Sequence, residues 1–178
     1  LTTNQLSAKD KFYGRTFCPG TEKESFLLQV NTWTGLYRRD FLNQYHIRHH
    51  ETPGASFQDN GFWFQTFCRG KRVRFLPDHM YQYRLDNPNA SMLSIGKERC
   101  VTEEFRWIHE CLETDPKKLK QFEGLVYVKQ YRSMMLTLSR LRADRRLPYL
   151  HHMREELKKP YEEGRFERQV LHQLDIDR

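Results

Sequence analysis

Residues 53–69 read PGASFQDNGFWFQTFCR, and the rest of the chain is organised around this stretch. Pro53 and Gly54 are turn formers, and the hydroxyl of Ser56 is able to accept a hydrogen bond from an unpaired N–H group at a helix start. The residues that follow carry an unusually large aromatic load, namely Phe57, Phe62, Trp63, Phe64 and Phe67. This pattern predicts a helix that begins just after Ser56 and presents an aromatic face.

Asp59 would be the third residue of this helix, close to the positive end of the helix dipole. Such a position favours an ionised carboxylate aimed out of the helix start, as a general base requires. Ser56-x-x-Asp59 also resembles a capping box, in which Asp59 would only satisfy backbone N–H groups. The local pattern by itself favours the cap, and both interpretations stay open.

Two further motifs flank the aromatic stretch. Residues 32–42 read TWTGLYRRDFL, and residues 81–91 read YQYRLDNPNAS. The three blocks, in this order, resemble the C-terminal, acceptor-side half of bacterial family 2 glycosyltransferases of GT-A fold. The resembling branch makes capsule, exopolysaccharide or lipopolysaccharide sugars.

The resemblance implies roles for individual residues. In that family the central acidic motif, Glu-Asp in many members, carries the catalytic base; here Gln58 takes the first position, so that Asp59 alone would inherit the role. Trp33 would border the acceptor cleft, and Tyr83 and Arg84 would border the active site. Arg84 would meet a diphosphate or an acceptor charge with its guanidinium fork.

Each of these roles has a plainer alternative. Trp33 would serve equally well as an ordinary aromatic residue of the core. Arg84 would equally form a salt bridge to Asp78 or Asp86.

The resemblance also implies a reaction and a cofactor. A sugar would pass from a nucleotide-sugar donor to a hydroxyl of a saccharide or polyprenyl-linked acceptor, in an inverting hexosyl transfer. The family binds Mg²⁺ or Mn²⁺ through an Asp-x-Asp motif in its front half, and no such motif occurs here in a resembling context; residues 175–177 match only in letters. We therefore expect the donor and metal ligands to lie outside this chain, which alone would be inactive.

Three histidines offer a second metal hypothesis. His46, His49 and His50 lie at the spacing that a helix would need to share one ion among them. Pro53 and Gly54 follow closely, however, so an extended or looped segment is the expectation, and histidines in loops are more often ordinary polar residues.

Composition indicates a folded chain without a membrane span. The chain has 178 residues, of which 38% are hydrophobic and 13% aromatic, enough for a core. No apolar run reaches the length of about 20 residues that a span needs, and no leader is present, which predicts a cytoplasmic location. The four cysteines form no C-x-x-C pair and are expected to be reduced thiols.

The net charge of +7 is concentrated in two basic clusters. The first contains Arg69, Lys71, Arg72 and Arg74, and the second contains Lys129, Arg132, Arg140, Arg142, Arg145 and Arg146. Such clusters attract anions, and a polyprenyl-phosphate acceptor or a peripheral contact at the inner face of the membrane would suit the second. A solvated helix face is the alternative. Nucleic acid is disfavoured because no nucleic-acid-binding motif accompanies the charge.

The remaining pattern predicts an α+β chain with two parts. Residues 1–96 would form the acceptor-side part of a GT-A-like domain with a small sheet, and residues 97–178 would form a C-terminal extension of three to four helices. Within the first part we expect a loop or arm over 1–24, a short element of undecided type over 25–31, a short helix around 36–42, and strands over 71–76 and 80–85. In the first of these strands, Val73, Phe75 and Leu76 would point inward.

The helical part is predicted from periodicity and prolines. Val101, Phe105, Ile108 and Leu112 share one face of a helix that Pro116 ends. A longer helix would cover 119–142, with a stripe of Tyr127, Tyr131, Met134, Leu138 and Leu141. Pro148 would break the chain before a helix over 149–159, and Phe166, Val170, Leu171 and Leu174 suggest a last short one.

Two functions of other classes remain as alternatives to the transferase. One is a non-catalytic binding or scaffold module, which would keep its partner without the Asp59 carboxylate. The other is a basic nucleic-acid-binding domain, whose affinity would fall steeply with salt.

Overall fold

The computed structural model describes residues 10–53, 57–78, 80–82, 84 and 98–171. The chain is α+β, with a small two-stranded antiparallel sheet and a C-terminal helical bundle, as the sequence predicts. It divides into two compact units, Leu1–Ser94 and Ile95–Arg178.

The first unit contains short elements around one longer helix. Three 3₁₀ helices lie at Asp10–Phe12, Lys23–Leu27 and Thr32–Thr34; the strands are β1 (Thr16–Phe17) and β2 (Val73–Arg74), and the α-helices are α1 (Arg39–Gln44) and α2 (Gln58–Arg69).

Helix α2 supplies most of the first unit's core. Its aromatic residues Phe62, Trp63, Phe64 and Phe67 are buried, as predicted. The ring of Phe26, from the 3₁₀ helix before it, lies 5.1 Å from Phe64 and 5.6 Å from Phe67 between ring centroids. Each such buried aromatic side chain contributes about 1.5–3 kcal/mol through the loss of apolar surface from water. The aromatic cluster therefore holds α2 in place.

The start of α2 differs from the prediction. Phe57, not Ser56, is the N-cap residue, with φ 65° in the left-handed region and no side-chain hydrogen bond to the helix end. Helical geometry consequently begins at Gln58, and Asp59 is the second helical residue rather than the third. The expected N-cap at Ser56 is therefore wrong; Ser56 itself, and with it the predicted pairing of Ser56 with Asp59, lies outside the described residues.

The expected N-terminal arm is partly a strand. Thr16 pairs with Arg74 and Phe17 with Val73 in the antiparallel β1–β2 ribbon. Phe17 is buried, with its ring centroid 5.4 Å from that of Phe75. The prediction of a loop over 1–24 is wrong here because the strand is stabilised by a contact distant in sequence, which local composition does not reveal; residues 1–9 lie outside the described part.

The predicted strands of residues 71–85 are shorter than expected. Val73 and Arg74 form a strand, but Leu76 is exposed rather than inward. Residues 80–82 and 84 belong to no strand, while 83 and 85 lie outside the described residues. The predicted second strand is wrong over the described positions, and β1 is the partner of β2 instead.

Two short elements of the first unit are helical. Residues 25–27 lie in the 3₁₀ helix Lys23–Leu27, which settles the choice between strand and helix. Helix α1 begins at Arg39, so Leu36 and Tyr37 precede it, and Leu36 is fully exposed. The helix around 36–42 is thus confirmed only in its second half.

The second unit is built from three long helices. They are α3 (Cys100–Glu113), α4 (Pro116–Arg140) and α5 (Ala143–Glu162), and residues 168–171 are again helical. The predicted face of α3 is buried in full, with Val101, Phe105, Ile108 and Leu112 each at most 5% exposed. Helix α4 starts three residues earlier than predicted, because the side chain of Asp115 caps it by accepting from Lys118 N–H at 3.3 Å.

The predicted stripe of α4 is buried in part. Tyr127 and Met134 are buried, whereas Tyr131, Leu138 and Leu141 are half-buried. The other side of the helix is also covered over residues 125–130, which makes the first half of α4 a central helix of the bundle.

Pro148 does not break the chain. Both Pro148 and Pro160 lie inside α5, and the break from α4 falls at Leu141 and Arg142 instead. The predicted boundaries at 149 and 159 are wrong. Each proline removes one backbone hydrogen bond, and the burial of Tyr149, Met153 and Leu157 along one side of α5 offsets that loss.

A glycine in α4 lets the chain after α5 pack against the helix. The carbonyl of Gly124 accepts from the N–H of Glu167 at 3.2 Å. A Cβ atom at Gly124 would lie 2.7 Å from Glu167 N and 2.9 Å from Arg165 O, both of which are backbone atoms. Neither can rotate away, so this contact requires glycine.

Gly124→Ala is therefore expected to destabilise the chain by about 1–3 kcal/mol, although alanine normally favours a helix interior over glycine by about 1 kcal/mol. Urea denaturation of both forms measures the difference. Ser139→Ala, an exposed position in the same helix, should change stability by less than about 0.5 kcal/mol. A neutral or stabilising Gly124→Ala would contradict the close approach.

His109 lies in the aromatic cluster next to this contact. Its ring is 4.7 Å from that of Tyr127, and its Nε2 is buried without a hydrogen-bond partner within the described residues. The guanidinium of Arg165 lies over the same tyrosine ring at 5.0 Å. Burial, with a smaller contribution from Arg165, lowers the pKa of His109 to about 4.

This pKa predicts loss of stability in mild acid. An unfolded histidine binds a proton below about pH 6.5, whereas the folded chain resists protonation down to about pH 4, so stability falls as the pH drops through that window, by up to about 3 kcal/mol. His109→Gln should flatten the stability curve between those pH values in urea titrations. The exposed His151→Gln serves as the control and should leave the slope unchanged; an unchanged slope in His109→Gln would refute the assignment.

Candidate functional site

The candidate site is the first turn of α2, where Asp59 is half-buried. The side-chain amide of Asn60 donates to Asp59 Oδ1 and to the carbonyl of Phe57, both at 3.2 Å. The N–H of Asn60 donates to the same Phe57 carbonyl at 2.9 Å. Asn60 thus ties the carboxylate to the left-handed corner that begins the helix.

Gln58 connects this turn to the segment before it. Its Nε2 donates to the hydroxyl of Thr52 at 2.6 Å, and its carbonyl lies 3.3 Å from Nδ1 of His49. Because a carbonyl only accepts, this contact requires the Nδ1-protonated form of His49, which leaves Nε2 of the neutral ring as an acceptor. Gln58 therefore has a clear positioning role without carrying a charge.

Phe62, one turn further along α2, is the aromatic centre of the site. The ring of His49 stacks on it with a centroid distance of 4.5 Å and an angle of 9°. Tyr37 approaches it edge-on at 5.1 Å. Two separate segments of the chain therefore meet on the same side chain of α2.

Tyr37 joins the segment of Trp33 to this centre. Its hydroxyl donates to the carbonyl of Thr32 at 3.3 Å, and burial raises the pKa of that hydroxyl. The 3₁₀ helix Thr32–Thr34 also packs against α2. Trp33 itself is 43% exposed, so its alternative role as an ordinary core aromatic residue is wrong.

The segment that carries His49 and Thr52 is anchored on both sides. Ile47 is buried, and its N–H donates to the carbonyl of Leu42 at 2.9 Å after a left-handed turn at His46. The side chain of Gln65 donates to the carbonyl of Arg48 at 2.9 Å. These bonds hold the segment along α2.

The structure brings together part of the predicted site. Asp59, Gln58 and the segment of Trp33 lie at the first half of α2. Arg84 is exposed and belongs to no helix or strand, and Tyr83 lies outside the described residues.

Sequence reasoning missed several side chains of the site. Tyr37, Thr52, Asn60 and Phe62 were not singled out as site residues, and His49 was considered as a metal ligand or an ordinary polar loop residue. Phe62 lies three positions after Asp59 and four after Gln58, a spacing that places it on the same helix face and was available as a signal. The others reach the site through folding of distant segments.

The three histidines are used in different ways in the structure. Within the described ranges no group of three or more His, Cys, Asp or Glu side chains is placed to hold a metal ion. His49 stacks on Phe62 instead, and His46 occupies a left-handed turn. The four cysteines are free thiols.

The second basic cluster is not one surface. Lys129 is buried, and the guanidinium of Arg145 pairs with Glu98 at 2.6 Å. Arg142 lies 3.4 Å from Asp144. In the first cluster the guanidinium of Arg69 lies over the ring of Tyr45, 5.2 Å from its centroid. The two clusters defined in the sequence therefore present less exposed, unpaired positive charge than their residue counts indicate.

Comparison with known proteins identifies no relative. The chain matches no protein family, no curated protein and no solved structure. Among the described helices, none combines the length and apolarity needed to cross a membrane.

Phe62→Ala should loosen the site while leaving the core contact of Phe26 in place. We expect a loss of about 3 kcal/mol, because a large buried ring is removed. Hydrogen–deuterium exchange should rise in residues 31–37 and 45–53, which meet on Phe62. Phe64→Ala is the matched control: a similar loss of stability should raise exchange in residues 23–28 instead. The same exchange pattern in both variants would contradict the arrangement.

Proposed function

We propose that this chain is the acceptor-side part of a bacterial family 2 glycosyltransferase, in which Asp59 is the general base. The proposal combines the three ordered sequence motifs with one structural observation. That observation is the half-buried Asp59 carboxylate, held by Asn60 at the start of a helix against which the 3₁₀ helix of the exposed Trp33 packs.

The carboxylate has the attributes that a base needs. It lies at the positive end of α2, where the helix dipole favours the ionised form. It is held by a neutral amide donor, the side chain of Asn60, and a carboxylate kept in one orientation is suited to accept a proton from a hydroxyl.

Trp33 supports a saccharide as the acceptor. The face of an indole carries negative charge density, which attracts the weakly positive C–H groups of a pyranose ring. Trp33 is 43% exposed and lies on a 3₁₀ helix that packs against α2, so an indole lies on an element next to the helix that carries the base. A saccharide or polyprenyl-linked sugar is therefore the class of acceptor that we propose.

The proposed reaction is a direct displacement. Asp59 takes the proton from the acceptor hydroxyl as that oxygen attacks the anomeric carbon, and the nucleoside diphosphate leaves from the opposite face with its bonding electrons. A single base on the acceptor side suits an inverting hexosyl transfer. A Mg²⁺ or Mn²⁺ ion that neutralises the leaving diphosphate would be bound by residues other than the described ones, and the products would enter cell-surface polysaccharide or lipopolysaccharide. We place this activity in the cytoplasm.

Asp59→Asn in the complete gene product is expected to lower transfer at least about 10²-fold, since the proton acceptor is lost while the shape is kept. The assay measures release of nucleoside diphosphate from UDP- and dTDP-sugars with Mg²⁺ or Mn²⁺ and saccharide acceptors.

Asp40→Asn is the matched control for this experiment. Asp40 is the second residue of α1, as Asp59 is of α2, so both substitutions remove a carboxylate from a helix start. The control should retain full turnover. Equal turnover in both variants would leave Asp59 with only a structural role, and absence of turnover in the wild type would favour a binding module.

A further inference from the structure

The outer side of α5 carries apolar and cationic side chains in one line. Five residues spaced three or four positions apart form this line, which we call the α5 stripe: Leu147, Leu150, Arg154, Lys158 and Tyr161. Such spacing places them on one helix face. The neighbouring face, about 100° around the helix axis, carries Tyr149, Met153, Leu157 and Pro160 and is buried in the bundle. Tyr161 of the stripe also contacts the buried Phe166, with ring centroids 5.7 Å apart. The stripe therefore borders the packed side of the helix.

The apolar members of the stripe are accessible. Leu147 is 62% exposed, Leu150 is 43% exposed and Tyr161 is 63% exposed. A single exposed leucine requires no explanation, but two leucines one turn apart on a face that also carries a tyrosine are typical of an interaction surface.

Some of the cations on this side of α5 form no ion pair with a described residue. Arg154 forms no ion pair with any described residue, and Arg146, one turn before Leu150, only donates its Nε to the carbonyl of Leu141 at 2.9 Å. Lys158 lies 3.8 Å from Glu162, a long and exposed ion pair that contributes little. The stripe itself contains no carboxylate, although Glu155 and Glu162 lie beside it, so it combines exposed apolar groups with two cations, one of them in an exposed ion pair.

An open groove lies beside the stripe. It has a volume of about 510 Å³ and is lined by His151, Arg154, Glu155, Lys158, Lys159 and Glu162. Three of these six side chains are cationic and two are carboxylates. The ammonium and guanidinium groups are suited to phosphate oxygens, and the ion pairs of Lys158 and Lys159 with Glu162 and Glu163 are long and exposed.

We propose that the α5 stripe docks on an anionic lipid surface. Leu147, Leu150 and Tyr161 would enter the headgroup region, while Arg154 and Lys158 would lay their aliphatic stems along it and pair with lipid phosphates. A second copy of this chain fits less well, because a two-fold contact of the stripe with itself would bring the cations Arg154 and Lys158 of the two copies close together.

This inference does not depend on glycosyl transfer. The surface lies on α5 and includes no residue of the first turn of α2, and its test contains no sugar donor. A failed vesicle assay and a failed transfer assay are therefore separate results.

The experiment measures co-sedimentation of the full chain with vesicles of phosphatidylcholine alone or with 30% phosphatidylglycerol. Wild type should partition onto the anionic vesicles and lose binding as salt is raised. Arg154→Glu/Lys158→Glu and Leu147→Ser/Leu150→Ser should each lower partitioning at least about tenfold. Arg154→Gln/Lys158→Gln should give an intermediate loss, which guards against an effect of misfolding in the reversal variant.

Matched controls lie on α4, outside the stripe. Leu136 is 49% exposed, so Leu136→Ser removes an equivalent leucine, and Lys117→Glu/Lys120→Glu reverses two exposed charges. Both controls should bind as wild type does. Equal losses in controls and stripe variants, unchanged binding in the stripe variants, or no preference of wild type for anionic vesicles would overturn the proposal. A wild-type dimer that stripe variants convert to monomer, without vesicle binding, would assign the face to self-association instead.

Discussion

The packing of Phe26 against α2 is the contact on which the rest of the first unit depends. Phe26 meets Trp63, Phe64 and Phe67 at centroid distances of 5.1–5.7 Å, and Trp63 stacks on Phe67 at 3.9 Å. The sheet has only two strands of two residues each, too little to be stable by itself. The ribbon joins the same aromatic network through Phe75, which lies 6.5 Å from Phe67.

The same helix uses its two sides for different purposes. Phe64 and Phe67 pack against Phe26 in the core. Phe62, nearer the helix start, contacts the rings of His49 and Tyr37 instead. The position of Asp59 is consequently set by the core, because α2 cannot shift without breaking the aromatic contacts. A carboxylate on a rigid helix is more precisely placed than one on a loop, which is what proton transfer needs.

In the second unit, the contact between α4 and the chain after α5 determines how the neighbouring side chains pack. Gly124 permits the backbone of residues 165–167 to reach α4, and Arg165 then pairs with Glu123 at 3.1 Å and covers the ring of Tyr127. The same packing buries His109 and creates its sensitivity to acid. Of the α5 stripe, Tyr161 reaches this packing through Phe166, while Leu147 and Leu150 stay exposed to solvent.

The sequence by itself determined the elements whose signal is local. The aromatic load of α2, the buried face of α3 and the α+β class were all predictable, since periodicity records which side of a helix is buried. Asp59 and Gln58 were identifiable by motif as candidate site residues. Only the tertiary structure decided that Thr16 and Phe17 form a strand with Val73 and Arg74, that α5 continues through Pro148, and that Tyr37 and His49 meet on Phe62. The strand pairing and the contacts on Phe62 depend on partners distant along the chain, and the continuation of α5 depends on burial that offsets the lost hydrogen bond of Pro148. The residues of each element by themselves contain no signal for these partners or for this burial.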